Sequence, residues 1–153
     1  MTTKLDDIID SVESELNSLI LDGTINAKKV WFTDVDDLTI QYPSVLFILR
    51  NAERNDMQVI QSSSRISWNL NYDVFCLYSG LEGKQKFTHA RRFVDSVYNL
   101  LQTQHAPGQR LNGECFDIEC ASIEYGIVAL ETPKQTTVTG GVIKLVIQVI
   151  ELF

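Results

Sequence analysis

Histidine and proline are scarce in this chain, and cysteine comes in an odd number: two His, three Pro and three Cys in 153 residues. Each shortage closes off a class of function. Cys76, Cys115 and Cys120 have no Cys-x-x-Cys spacing, so they form neither a paired disulfide framework nor a zinc site. Cys76 and Cys120 stand among apolar residues and read as buried thiols in a reducing cytosol. His89 and His105 are the only imidazoles that could serve as a catalytic base, one among charges and one in a polar turn. No Gly-x-Ser-x-Gly elbow accompanies them, and Ser62-Ser63-Ser64 reads as a hairpin tip. Long apolar runs are missing too. The most apolar stretch, Val142 to Ile150, is interrupted by Lys144 and Gln148 and is too short to cross a bilayer. The start, MTTKLDDIID, has neither the basic region nor the apolar stretch of a signal peptide. Basic charge is also in deficit, 13 Lys and Arg against 20 Asp and Glu, for a net charge of −7. That balance argues against a surface built to grip phosphates, although it suits a conduit through which nucleic acid passes without sticking.

What remains reads as an ordinary globular chain, with 44% hydrophobic and 22% charged residues. A single domain over residues 1–153 is expected, large enough to bury about two-thirds of its unfolded surface. Leu5, Ile8, Ile9, Val12, Leu16, Leu19 and Ile20 recur at helical spacing and predict a first helix. Thr2 or Thr3 is placed to cap it, Asp6 and Asp7 suit its positive end, and Asp22-Gly23 should stop it. Lys29 to Thr33 predicts a short strand, then an acidic turn at Asp34, Asp36 and Asp37. Pro43 opens a second strand, Ser44 to Asn51, and residues 52–63 read as the far end of a long hairpin. Ile66 to Tyr78 alternates as a long strand ended by Gly80 to Gly83. A second helix carries Phe87, Ala90, Phe93, Val94, Val97, Tyr98 and Leu101 on one side, with Lys84, Arg91, Arg92 and Asp95 outward, and ends before Pro107-Gly108. Glu114 to Ile123, with Phe116, Ile118 and Cys120 inward, and Thr136 to Leu152 predict two last strands. The Thr- and Gly-rich loop Glu131 to Gly141 joins them.

The order α-β-β-β-α-β-β gives an α+β fold, an antiparallel or mixed sheet of about five strands covered by two helices. Phe75, Leu77, Val142 and Val146 should point to the face the helices leave uncovered. Gly80-Leu81-Glu82-Gly83 and Gly140-Gly141 match no phosphate-cradle spacing and read as turns. The acidic turn lacks the glycine and distal glutamate of a calcium loop and reads as solvated. These inventories predict no enzyme, no metal and no cofactor.

Charge sign separates between the helices: Asp6, Asp7, Asp10, Glu13 and Glu15 on the first, Lys84, Lys86, Arg91 and Arg92 around the second. One reading is two solvated faces. The other is an interface in which the acidic helix of one copy meets the basic helix of the next.

Several features together resemble the tail terminator, or tail completion, proteins of tailed bacteriophages. They are the N-terminal amphipathic helix, Tyr42-Pro43-Ser44-Val45 opening a strand, the long Ile66 to Tyr78 strand, and the second helix with Ala90, Val94, Val97 and Leu101. Gly113 then precedes a strand, and an apolar strand closes the chain. The resemblance implies a structural protein of the virion, assembled in the host cytoplasm, that forms a ring, usually six-fold, on the end of the tail tube. The ring would stop tube growth, meet neck or connector proteins, and let DNA travel through its lumen without specific binding. Candidate contacts with another subunit or a partner are Asp10, Glu13, Glu53, Arg54, Asp56, Lys84, Arg91, Arg92, Glu131 and Lys134. The segments 52–63 and 131–141 are expected to order only against partners. Another neck component is the nearest alternative. A small-ligand domain with Trp31, Trp68 and Tyr72 lining a pocket is a further one.

Overall fold

The structure, a computed structural model, describes residues 4–23, 27–32, 42–54, 65–80, 87–106, 110–113, 115, 117–130 and 136–152. The elements follow the expected order: α1 (Leu5–Leu21), β1 (Lys29–Trp31), β2 (Ser44–Arg54), β3 (Arg65–Gly80), α2 (Phe87–Gln102), β4 (Asp117–Leu130) and β5 (Thr136–Leu152). The fold is α+β, with a five-stranded sheet in the order β1-β2-β3-β5-β4. The sheet is mixed, because β1 pairs in parallel with β2 (Lys29↔Ser44 to Trp31↔Leu46) and every other pair is antiparallel. A parallel neighbour needs a crossover rather than a tight turn, which the long connection from residue 32 to residue 43 supplies. It ends at the cis Tyr42–Pro43 bond.

Helix α1 buries Ile8, Val12, Leu16 and Ile20, one residue per turn, against the sheet. Its cap differs from the expected threonines. Lys4 holds the N-cap position with extended backbone and no side-chain cap, while Thr2 and Thr3 lie outside the described residues. The donor is satisfied from the other end of the chain: Leu5 N–H donates to Glu151 Oε2 at 3.1 Å, and Trp68 Nε1–H donates to Glu151 Oε1 at 3.1 Å. One carboxylate on β5 thus fixes both the start of α1 and a β3 side chain. The helix stops where expected, with Asp22 N–H donating to Ser18 O at 2.8 Å. Gly23 then passes so close to α2 that an added Cβ would lie 2.7 Å from Leu100 Cδ2.

Helix α2 buries Ala90, Phe93, Val94, Val97 and Leu101 and lies over β3, β4 and β5. After it, His105 Nδ1 sits 3.0 Å from Asp117 Oδ1 and 3.1 Å from Ile118 O, which ties the end of the helix to the start of β4. The short turn Arg110–Gly113 takes left-handed backbone at Arg110 and Leu111 as well as at Gly113. It is held by the buried side chain of Leu111 and by Leu111 N–H donating to Gln104 Oε1 at 3.0 Å.

Several strand limits move. β2 continues to Arg54, so residues 52–54 belong to the sheet, and residues 55–64 lie outside the described residues. β4 runs Asp117–Leu130, later and longer than the expected Glu114 to Ile123, with Glu114 and Phe116 outside the described residues. β5 keeps its expected limits, Thr136–Leu152, and it is the overlapping loop reading, Glu131 to Gly141, that gives way to strand from Thr136 onward, because β-branched threonines suit a pleated surface. Gly140 and Gly141 are therefore not a turn. They pair with Leu77 and Cys76 on one side and with Gly126 and Tyr125 on the other. A Cβ at Gly140 would fall 1.7 Å from Cys76 O, beside the register shift between Leu77 and Ser79. At Gly141 it would fall 2.5 Å from Glu124 O and 2.9 Å from Val94 Cγ2. Close approach of neighbouring backbone is what requires glycine here.

The main core lies between sheet and helices, with Phe47, Leu70, Tyr72, Val74, Ile143, Leu145 and Ile147 beneath the helix stripes. The opposite face was expected to be uncovered, and half of it is not. At one end Trp31, Leu46, Phe75, Leu77, Val128 and Val138 form a second buried cluster, with Val142 packed against it. The other end is polar, where Asn71 Nδ2–H donates to Asn51 Oδ1 at 2.7 Å beside Asn69 and Gln148. Asp73 marks the boundary, bridged by Arg50 at 2.6 Å and Lys144 at 2.7 Å. Burial pushes its pKa up, but the hydrogen bonds and charges of Lys144 and Arg50 outweigh that and hold it below the usual carboxylate value. Among the described residues, no helix is long and apolar enough to cross a membrane.

Candidate assembly surface

The cysteines are all free, with Cys76 and Cys115 buried and Cys120 partly so. Burial, with a small contribution from Glu119, pushes the Cys120 thiol up to about 12, which leaves it protonated and unreactive. Among the described residues no three His, Cys, Asp or Glu side chains gather to hold a metal ion. The acidic turn at Asp34, Asp36 and Asp37 lies outside those residues. His89 is exposed on α2, and His105 spends its ring on Asp117 and Ile118 O.

The aromatic pocket does not form. Trp31 belongs to the far-face cluster, whereas Tyr72 and Trp68 lie on the helix side of the sheet. Tyr72 is 1% exposed and fills core space. A groove of about 360 Å³ does open between the C-terminal halves of α1 and α2, lined by residues that include Glu15, Ser18, Asp22 and Gln104. None of the three aromatics reaches it.

Of the ten candidate contact residues, the six described ones are scattered. Asp56, Lys84, Glu131 and Lys134 lie outside the described residues. Asp10 is exposed on α1, but Glu13 is only half exposed and leans toward the sheet beside Tyr72. Burial, then the neighbouring Asp10 charge, raises the pKa of Glu13 against an opposing pull from the Tyr72 hydroxyl. Tyr72 is raised in turn by its own burial and by Glu13. Glu53 and Arg54 are exposed at the end of β2, where Asn51 Nδ2–H donates to Glu53 Oε1 at 3.2 Å.

Arg91 and Arg92 are exposed near the start of α2, and here sequence reasoning missed a partner. Asp95, one turn further along the same helix, accepts a 2.5 Å hydrogen bond from the Tyr125 hydroxyl on β4. That bond raises the Tyr125 pKa, and the Arg91 charge acts on the same hydroxyl in the opposite sense. The basic end of α2 therefore stands over the β4 edge of the sheet. Helix α1 contacts the sheet at β1 and β5 instead, and no ion pair joins Asp10 or Glu13 to Arg91 or Arg92. Two unlike patches sit on one chain with no ion pair between Asp10 or Glu13 and Arg91 or Arg92.

The outer rim of β4 is the second feature that sequence reasoning missed. Tyr125 and Ile127 are 49% and 59% exposed, and β4 is an edge strand. The alternation Ile123, Tyr125, Ile127 was the available signal. No protein-family model matches this chain, and no curated protein matches it in sequence.

Proposed function

We propose that this chain is a non-enzymatic assembly protein of the tail-terminator kind, a homo-oligomeric ring at the junction of a phage tail and its neck. In this reading subunits associate head-to-tail, the contact by which unlike patches close a ring, cap the tail tube and leave a lumen for DNA. The observation that carries it is the separation of the two charged patches: Arg91 and Arg92 at the β4 edge, Asp10 on the other helix, with no ion pair between them. A heterologous contact needs two different surfaces on each subunit, and a ring follows when the rotation closes. A net charge of −7 suits a lumen that must release DNA.

Rim ion pairs contribute only about 0–1 kcal/mol each, so charge sets register while apolar burial drives association. The test is the double reversal Arg91→Glu and Arg92→Glu, assayed for capping of tail tubes by electron microscopy, with folding checked by circular dichroism. Capping should weaken and lose its salt dependence. A folded double variant that caps tubes with unchanged efficiency and salt dependence would make these arginines a solvated face.

A further inference from the structure

We propose that the groove between the C-terminal halves of α1 and α2 receives the Arg91–Arg92 end of α2 from a second copy of this chain. The inference rests on the head-to-tail reading above and names the acidic surface that the arginines meet. The groove measures about 360 Å³ and has Leu19, Leu100 and Leu111 among its walls, with Glu15 and Asp22 as its carboxylates. No Lys, Arg or His stands among the described residues that line it. Helix polarity adds to that sign. A helix ends in unpaired carbonyls and a partial negative charge, which a cation in the last turn normally offsets. Both helices end at this groove, and neither has a basic residue in its last turn. Asp22 is itself the C-cap of α1, exposed at the negative end, where a carboxylate is least favoured.

The other end of α2 shows the reverse. Its first turn holds no acidic residue, and Arg91 and Arg92 follow in the second, both exposed and in no ion pair among the described residues. A single subunit cannot bring these halves together. Arg92 and Leu100 stand eight residues apart on one helix, about 12 Å at about 1.5 Å per residue, beyond the reach of an arginine side chain. The contact therefore runs from one copy to the next, between unlike surfaces, as a ring requires. Asp6 and Asp7 are weaker partners, because they lie in the first turn of α1, whose positive end already favours them. Apolar surface is matched as well. Phe87, one turn before Arg91, is 56% exposed, and Leu21, next to Asp22, is 45% exposed. Docking the arginines in the groove brings these two side chains to the same interface, where burial supplies affinity and the ion pairs set register.

The test uses full-length chains of reversed charge, Asp22→Arg in one and Arg91→Glu with Arg92→Glu in the other. Association is followed by native mass spectrometry over a concentration series and by capping of tail tubes. Each reversed chain alone should associate at least tenfold more weakly than the unsubstituted one. Mixing the two should restore association, because every contact between unlike chains is then either native or reversed on both sides. Asp22→Arg should leave the melting temperature unchanged or raise it, since a cation suits the end of α1, so the lost association cannot come from a damaged fold. Ser18→Arg, at an exposed position on the same wall, should weaken association as well. If the arginine reversal weakens association while Asp22→Arg and Ser18→Arg do not, or if the mixture fails to recover, the groove is overturned and the ring reading stands. A chain that stays monomeric at every concentration and on tube ends would overturn both.

Discussion

Replacing Gly140 by alanine should be the most damaging of the alanine substitutions at Gly23, Gly113, Gly126, Gly140 and Gly141. The new Cβ would lie 1.7 Å from Cys76 O and 2.9 Å from Cys76 C, both backbone atoms that no rotamer change can move away. Strands β3 and β5 must part by more than an ångström at the centre of the sheet, which stretches the neighbouring ladder bonds beyond useful length. Losing about two such bonds costs about 2 kcal/mol, and overpacking adds about 1–3 kcal/mol. The lower chain entropy of unfolded alanine returns only about 0.5–1 kcal/mol. The net loss is about 3 kcal/mol, a large share of the roughly 5–15 kcal/mol that holds a typical domain. Gly141→Ala meets Glu124 O at 2.5 Å and Val94 Cγ2 at 2.9 Å, and because its backbone clash is milder than at Gly140 and the valine can adjust, it should cost less, about 2 kcal/mol. Gly113→Ala meets nothing within 4 Å and suffers only from its φ of +85°, about 1 kcal/mol. Urea unfolding followed by circular dichroism, with tryptophan fluorescence as the second probe, gives the order directly. If Gly140→Ala costs no more than Gly113→Ala, the backbones do not approach as described and the reasoning fails.

Three other substitutions test the polar contacts. Asp73→Asn should cost about 1–3 kcal/mol at neutral pH, because it removes two charge-assisted bonds whose cations are half in water. A carboxylate held below its unfolded pKa stabilises fully above about pH 4 and loses that contribution as pH falls through the folded value, so the deficit of this variant should shrink in acid melts. Glu13→Gln runs the other way: its folded pKa is raised, so the charged form is disfavoured, and the variant should be at least as stable at pH 7 with the gain vanishing below about pH 4. A clear loss of stability at pH 7 would show that the Glu13 charge supports the fold. Glu151→Ala removes the acceptor of both Leu5 N–H and Trp68 Nε1–H and should cost about 1–2 kcal/mol, with a shift in tryptophan emission and faster amide exchange in the first turn of α1. Unchanged exchange there would mean that water caps the helix equally well.

Both helices were legible because each carries one stripe at a single period and the centre of each stripe is buried, but Phe87, expected on the α2 stripe, is 56% exposed because it stands at the helix's first position, beyond the sheet contacts of the later turns. β3 was legible for the same reason at period two. What failed was any feature set by a residue distant in sequence. Glycine beside threonine reads locally as a turn, and nothing near Gly140 reveals that Cys76 O will lie against it. Thr2 and Thr3 were reasonable caps, but the acceptor that reaches Leu5 is Glu151, at the other end of the chain. The far-face cluster was hidden in the same way, since Trp31, Leu46 and Val138 look like members of separate strands until strand order brings them together.

The candidate surface was legible as charge but not as geometry. Composition separates an acidic α1 from a basic start of α2, and helical periodicity alone suggests that Asp95 answers Arg91 one turn away. Pairing across the sheet changes that, because Tyr125 takes Asp95 by a hydrogen bond and stands on the edge strand. That hydrogen bond fixes the helix that carries the arginines against the edge strand. Glu13 moves in the other direction, since it is half-buried beside the core residue Tyr72. The acidic patch therefore narrows to the exposed Asp6, Asp7 and Asp10, while the basic patch gains an apolar neighbour in Tyr125 and Ile127. Since exposed charges bias register and buried apolar area supplies affinity, the β4 rim would contribute more affinity than the acidic patch to the subunit contact proposed above.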